Sequence, residues 1–258
     1  MGFVRLKGFV LQSIPYRDSN LLLKILTSDR GLITCSAPGA KRRNAPFKML
    51  TSPFVFAEFD LFYNRNRYKL QAGNLIDGYF PLMEDVSRLT CLAHLAEVVL
   101  DVLNQEARAD WAYHFWAYAS YQITKDPDPF LMVHLAQVKF LGDQGFAPWL
   151  DNCLICHEDF DRSGGRFYFN QGGAVCPKLA CRHGLAESQV MDISLSSLKI
   201  LSYLLHLNHE KCFNIRVPIE DRQEVINFSA RYLRFTMEKD YSKLRLLKSL
   251  EKYEKGII

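Results

Sequence analysis

The sequence predicts an α+β chain: a small N-terminal β-barrel domain over residues 1–80, then an α-helical domain over residues 81–258 with a cysteine-rich insertion at about 150–185. Three observations carry that prediction. Apolar and polar residues alternate with a period of two through the first eighty positions. After Pro81 the period becomes about 3.6. Four of the seven cysteines then crowd into 153–181, where the helical pattern breaks.

The first strand is read from "FVRLKGFVLQSI", which sets Phe3, Arg5 and Lys7 against Val4 and Leu6. "NLLLKILTSDRGLITCSAPGA" holds two apolar runs split by "SDRG", a hairpin signal with Gly31 at the turn. "PFVFAEFDLFYNRNRYKLQAGNLIDGYF" gives a long alternating strand, a polar "YNRNR" turn and another strand. About five strands without a helix fit a small Greek-key barrel, the size and strand count of an OB-fold, with an SH3-like barrel the nearest competitor.

Helices follow. "VSRLTCLAHLAEVVLDVLNQ" places Leu89, Leu92, Leu95 (or Ala96), Val99 and Leu103 on one stripe. "ADWAYHFWAYASYQIT" is a second helix, and "DPFLMVHLAQVKFLGDQG" a third, opened by the cap-like Asp128-Pro129. Inside the insertion, "GRFYFN" is strand-like and "QGG" a turn. Helices resume at about 194 and about 219, with a further one expected towards 255.

Net charge is only +4, but it is unevenly placed. Residues 1–80 carry twelve Lys/Arg against five Asp/Glu, residues 81–230 twelve against nineteen, and residues 231–258 eight against four. Such asymmetry points to an anionic partner for the ends. Within the barrel, Lys41, Arg42 and Arg43 are consecutive in "GAKRRNAPFKML" and Lys48 follows; Arg65, Arg67 and Lys69 lie in or beside the last hairpin. Adjacent cations repel, which a purely structural loop has no need to tolerate, so these two loops are candidate contacts to a phosphate backbone. Phe47, Tyr63 and Tyr68 are candidates to stack bases, against the plainer reading of core and hairpin filler. Nothing in the loops reads base edges, so binding is expected to be largely independent of sequence.

The cysteines read C-x2-C-x19-C-x4-C: Cys153, Cys156, Cys176 and Cys181. The first pair has the spacing with which one turn presents two thiolates to a tetrahedral zinc ion. The second pair is wider by two residues. Either Cys181 completes the site through a wider loop, or His183 does; His157 is a third candidate. A redox Cys-x-x-Cys normally opens a helix in a βαβ frame, and none is visible, so a structural Zn2+ is expected. Cys35, Cys91 and Cys212 lie alone in apolar stretches and read as core residues.

No Gly-rich phosphate loop, G-x-S-x-G or H-E-x-x-H occurs in the sequence. Most histidines, including His94, His114, His134, His206 and His209, fall on expected helices and read as helix residues. Asp126 and Asp128 read as turn and cap, and "EDFD" at 158–161 as an exposed acidic loop. A binding protein is expected rather than an enzyme. No apolar run approaches the ~18 residues of a membrane span, and the start lacks the apolar block of a signal peptide, so a cytoplasmic location is expected.

The order of these features resembles one family, the bacterial recombination mediator RecO. The resemblance rests on Gly8, Val10, Leu11, Tyr16, Asp18, Thr27, Gly31, Gly39, Ala40, Lys41 and Arg42, on the continuation "PFVFAEFDLFYNRNRYKLQAGNLID", and on Cys153, Cys156, Gly172, Gly173 and Cys176. It covers nearly the whole chain; the motifs are individually soft and their order is the specific part. The x4 gap before Cys181 departs from relatives with zinc, which often show x2. The resemblance implies an OB-fold joined to a helical domain with a zinc-binding insertion, and a nucleoid-associated protein of DNA repair. It further implies binding of single- and double-stranded DNA, annealing of complementary strands, and loading of the RecA recombinase onto strands coated by single-strand-binding protein, together with RecR. On that reading an apolar groove with cationic edges, with Arg231, Arg234 and Lys239 as candidates, takes the acidic tail of single-strand-binding protein. The competing readings are a generic nucleic-acid chaperone or RNA-binding regulator, and a metal- or thiol-dependent enzyme.

Overall fold

Alternation becomes a barrel in the computed structural model, which describes residues 2–45, 47–78, 85–103, 110–245 and 247. Five strands are formed: β1 (Gly2–Tyr16), β2 (Asn20–Thr27), β3 (Gly31–Ala37), β4 (Phe56–Asn64) and β5 (Arg67–Asp77). They close in the order β1-β2-β3-β5-β4. All ladders are antiparallel except β3–β5, where Cys35 pairs with Tyr68 and Ser36 with Lys69 in parallel. Long β1 serves both neighbours: its first half pairs with β4 and its second with β2. A bulge between Val10 and Gln12 switches its parity. Upstream, Leu6 and Val10 enter the core and Phe3, Arg5, Lys7 and Phe9 face outward; downstream, Gln12 and Ile14 are exposed. Gly8 allows the close crossing of β1 over β2, since a Cβ there would stand 2.7 Å from the Leu26 carbonyl oxygen.

Leu23, Ile25, Ile33, Cys35, Ala57, Phe59, Leu61 and Leu70 fill the barrel. Its outer face is divided. Around Phe9, Leu26, Leu32 and Phe56 it is apolar, and the first three are buried. Two helices complete this first compact unit, Met1–Thr124: α1 (Val86–Val102) and α2 (Asp110–Lys125). Asp85 caps α1 by accepting from the Arg88 N–H at 3.0 Å, and the Arg88 guanidinium donates to the Ile123 carbonyl at 2.7 Å, tying α1 to α2. Tyr113 of α2 stands 5.4 Å from the Phe9 ring, which itself stacks on Phe56 at 4.5 Å.

The second unit, Lys125–Ile258, is built on α3 (Pro129–Asp143), buried on all sides from Leu131 to Leu141. Asp128 caps α3, with Pro at the first helical turn, as its sequence predicts. Against α3 pack α5 (Leu195–His206) and α6 (Ile219–Met237). A buried polar cluster links α3 to α6: the Ser229 hydroxyl donates to the His134 carbonyl at 2.8 Å and accepts from Gln137 at 2.6 Å. The expected strand in the insertion is β6 (Gly165–Tyr168), the centre of a small antiparallel sheet completed by β7 (Gly173–Val175) and β8 (Val190–Ile193). The short helix α4 (Leu179–Arg182) lies between β7 and β8 in the chain. Helix α5 stops at His206, so His209 falls in a turn rather than on the helix the periodicity predicts. The helix expected towards 255 falls largely outside the described residues. No helix among the described residues is long and apolar enough to cross a membrane.

Candidate metal centre and nucleic-acid interface

The first cysteine pair sits on a tight turn. The His157 N–H donates to the Cys153 carbonyl at 2.9 Å, and His157 takes a left-handed conformation, φ 57°. This fold-back aims the Ile155 and Cys156 amides at the Cys153 sulfur; the Cys176 amide reaches it from the other side at 3.3 Å. Gly173 makes the approach possible. A Cβ there would meet Leu154 at 3.0 Å and Trp149 at 3.1 Å, whereas the bare backbone lets segment 149–154 bond directly to β7 through the Ala174 N–H to Trp149 carbonyl and the Leu154 N–H to Ala174 carbonyl, each 2.9 Å.

The wide second spacing has a plain cause. Pro177 and Lys178 turn the chain into α4, whose first turn returns Cys181 to the site, with the Cys181 N–H donating to the Lys178 carbonyl at 3.0 Å. The two extra residues are that helical turn. All four sulfurs lie within 4.8 Å of one another. Neither His183 nor His157 belongs to the group; both are exposed, and Cys181 is the fourth member.

The donor set fits a tetrahedral ion. Four Zn–S bonds of ~2.3 Å put sulfurs ~3.8 Å apart, and the Cys156 and Cys176 sulfurs are 3.9 Å apart. Burial opposes ionisation of Cys153, but the three amides outweigh it and lower its thiol to about 6. Burial and the neighbouring thiols push Cys181 up to about 12. A cation bound among the four sulfurs would favour the thiolate form of each. The three remaining cysteines are buried, as their apolar settings predict.

The cationic residues of the barrel fall into two places. Lys41, Arg42 and Arg43 are exposed on the loop after β3. That loop is fastened to the β1–β2 turn: the Lys41 N–H donates to the Ser19 carbonyl at 3.0 Å and the Gly39 N–H to the Asn20 side chain at 2.9 Å. The turn adds Arg17, whose guanidinium lies 5.1 Å from the Tyr16 ring centroid. Lys48, also exposed, opens the short 3-10 turn Met49–Thr51.

Arg67 and Lys69 project outward from β5, and ladder register shows what they join. Lys69 pairs with Ser36, Ser36 with Leu22, and Lys24 of the same strand with Thr34. Paired residues share a face, so Lys24, Thr34, Ser36, Arg67 and Lys69 form one solvent-facing patch across β2, β3 and β5. It holds three cations and no acid. Lys24 was not singled out by the sequence reading. Its signal is a charge inside "NLLLKILT", a run that otherwise reads as fully buried. Arg65 sits in the β4–β5 turn with Asn66, both left-handed at φ 46° and 59°.

The three aromatic candidates point elsewhere. Tyr68 is buried in the barrel core, Tyr63 lies against it, tilted, with ring centroids 4.8 Å apart, and Phe47 packs against the same core. Tyr68 is therefore closed to a base. In the second unit, Arg231 of α6 lies over the Phe169 ring at 4.8 Å and donates to the Val190 carbonyl at 3.0 Å; Arg234 is exposed; Lys239 lies 4.9 Å from the Tyr241 ring centroid. Asp151 accepts from Ser202 and stands 3.0 Å from His206, all on the surface.

Comparison with known proteins agrees with this architecture. Residues 1–79 match the profile of the family described as Recombination protein O N terminal, and residues 83–245 that described as Recombination protein O C terminal. The DNA repair protein RecO of Acetivibrio thermocellus is 26% identical over 254 residues, 98% of this chain and 99% of that protein. Proteins of the same description from Caldicellulosiruptor saccharolyticus and Clostridium perfringens are each 23% identical, over 251 and 254 residues, 97% of this chain and the whole of each relative. Both profiles in order, relatives aligned from end to end, and a cysteine cluster able to hold a metal place the chain in the RecO family of DNA repair proteins.

Proposed function

We propose that this protein binds single- and double-stranded DNA through its barrel, largely without sequence preference, anneals complementary strands, and helps load recombinase onto strands coated by single-strand-binding protein. The single observation carrying this is the outer face of β2, β3 and β5, where Lys24, Arg67 and Lys69 stand together without an acid. Strand order 1-2-3-5-4 with one parallel closure supports an OB-fold, a barrel whose β2–β3 face and adjoining loops carry oligonucleotides. The anchored loop 39–45 and the turn at Arg65 extend the positive surface. Lys and Arg side chains can neutralise the phosphates of a strand of any sequence, which suits a protein that must engage any strand and brings two complementary ones together by cancelling their repulsion. No chemical step is needed for annealing or loading.

The four cysteines would hold a zinc ion. With four protein ligands no position is open for chemistry, and the ion would supply folding energy to the β6–β8 sheet and its loops. RecR, single-strand-binding protein and, indirectly, RecA are the proposed partners, in the bacterial cytoplasm at the nucleoid. For the acidic, Phe-ending tail of single-strand-binding protein we place the contact on α6, where Arg231, Arg234 and the half-exposed Phe235 share a face beside Phe169, with Lys239 beyond.

The test is annealing of two complementary oligonucleotides by the purified protein. Acceleration by the wild type, reduced when Lys41, Arg42 and Arg43 are all replaced by Ala, is expected; no acceleration at any protein concentration refutes the reading.

A further inference from the structure

We propose that Phe3, backed by Phe62, is a base-stacking platform that makes the barrel's grip selective for unpaired strands. This rests on the nucleic-acid reading above and adds to it the residue that distinguishes single strands from duplex.

The position follows from register. Phe3 pairs with Phe62, Phe62 with Lys69, Lys69 with Ser36, and Ser36 with Leu22, so the two phenylalanines continue the same outward row as the cationic patch. Neighbouring strands are ~4.8 Å apart, which sets Lys69 one strand from Phe62 and two from Phe3. The Phe3 and Phe62 rings meet edge to face at 5.3 Å, and Phe3 is 77% exposed. Phe62 holds Phe3 at an angle, leaving the Phe3 face open to solvent.

The barrel treats its other outward aromatic pair differently. Phe9 and Phe56 lie on the same two strands, and α2 covers them with Tyr113. Among the described residues no helix covers Phe3 in this way. The acids on the outward row of β4 face a cation: Arg5, two residues along β1, holds Asp60 at 2.5 and 3.2 Å and stands 3.9 Å from Glu58. An aromatic face beside Lys69 and Arg67, with the acids of that β4 row facing Arg5, meets the two needs of a single-strand site, a π-surface for the base and cations for its phosphate. A duplex keeps its base faces stacked inside and offers Phe3 nothing, while its phosphates still reach the cations.

The test is fluorescence titration at fixed salt of a thymidine oligonucleotide and of a duplex of equal length, against the full-length wild type, Phe3→Ala and Phe3→Trp. Phe3→Ala should weaken single-strand binding roughly five- to tenfold and change duplex binding less than about twofold, with the salt slope unaltered. Phe3→Trp should restore the affinity, its indole emission being quenched by the single strand and not by the duplex. Unchanged single-strand affinity in Phe3→Ala, or equal loss for both forms, overturns the platform and leaves the DNA reading intact. If the wild type binds neither form, the DNA reading falls and takes the platform with it.

Discussion

Arg65 occupies a left-handed position in a two-residue hairpin turn, where Gly or Asn is preferred. A non-glycine residue there costs about 1 kcal/mol. Arg65→Gly should therefore raise stability by roughly 0.5–1 kcal/mol in denaturant melts, while lowering DNA affinity and reducing the salt slope by about one ion. A variant that gains stability and loses no affinity shows that the charge has no part in binding. At the metal centre the same scale separates two histidines from a cysteine. Cys181→Ser should abolish stoichiometric zinc in elemental analysis and expose the β6–β8 region to protease, whereas His183→Ala and His157→Ala should retain the metal. The competition between Cys181 and His183 was not resolvable from spacing alone, because spacing does not say whether two extra residues form a slack loop or a helical turn.

At the scale of elements, α3 and α6 are joined at their N-terminal ends by Arg222 and Asp128, 2.9 Å apart in one of two hydrogen bonds. Burial works to raise the Asp128 carboxyl, but the Arg222 guanidinium and the Leu131 amide together hold it below its usual value. A depressed carboxyl adds stability that is present above the unfolded-state value near 3.8 and is lost as pH falls through the folded one. Asp128→Ala should then cost about 1–2 kcal/mol near pH 7, a gap that narrows towards pH 3 in urea melts; a gap independent of pH contradicts the ion-pair account. The elements themselves were largely legible in sequence. Period-two alternation marked β1, β4 and β5, two apolar runs split by "SDRG" marked β2 and β3, and Asp128-Pro129 marked the start of α3. What stayed hidden was parity. The bulge at Leu11 turns one alternating run into two with opposite faces, and no residue type announces it. For the same reason Tyr68, chosen for its neighbours in sequence, faces the core, while Lys24, among leucines, lies on the outward face. β8 was missed because "VMDI" gains its strand character from β6 rather than from its own pattern.

At the scale of the molecule, the charge asymmetry of the sequence is resolved into a surface. Part of the cation excess in the first eighty residues, Lys24, Arg67 and Lys69, shares one outer face of the barrel, whereas the outer face around Phe9 and Phe56 is apolar and partly covered by α2. The two candidate regions were visible in sequence as types, a basic barrel and a cysteine quartet, because both depend on residues with little other use in those places. The composition of the basic face was not, since it is assembled from three strands whose register the sequence does not print.

The most direct test of the account is the salt dependence of single-strand binding by the wild type and by the triple variant Lys24→Ala/Arg67→Ala/Lys69→Ala. The account predicts that wild-type affinity falls steeply between about 50 and 200 mM salt, and that the variant binds all sequences more weakly with a slope shallower by about two to three. A wild-type affinity that does not respond to salt, or a variant with the wild-type slope, would contradict it.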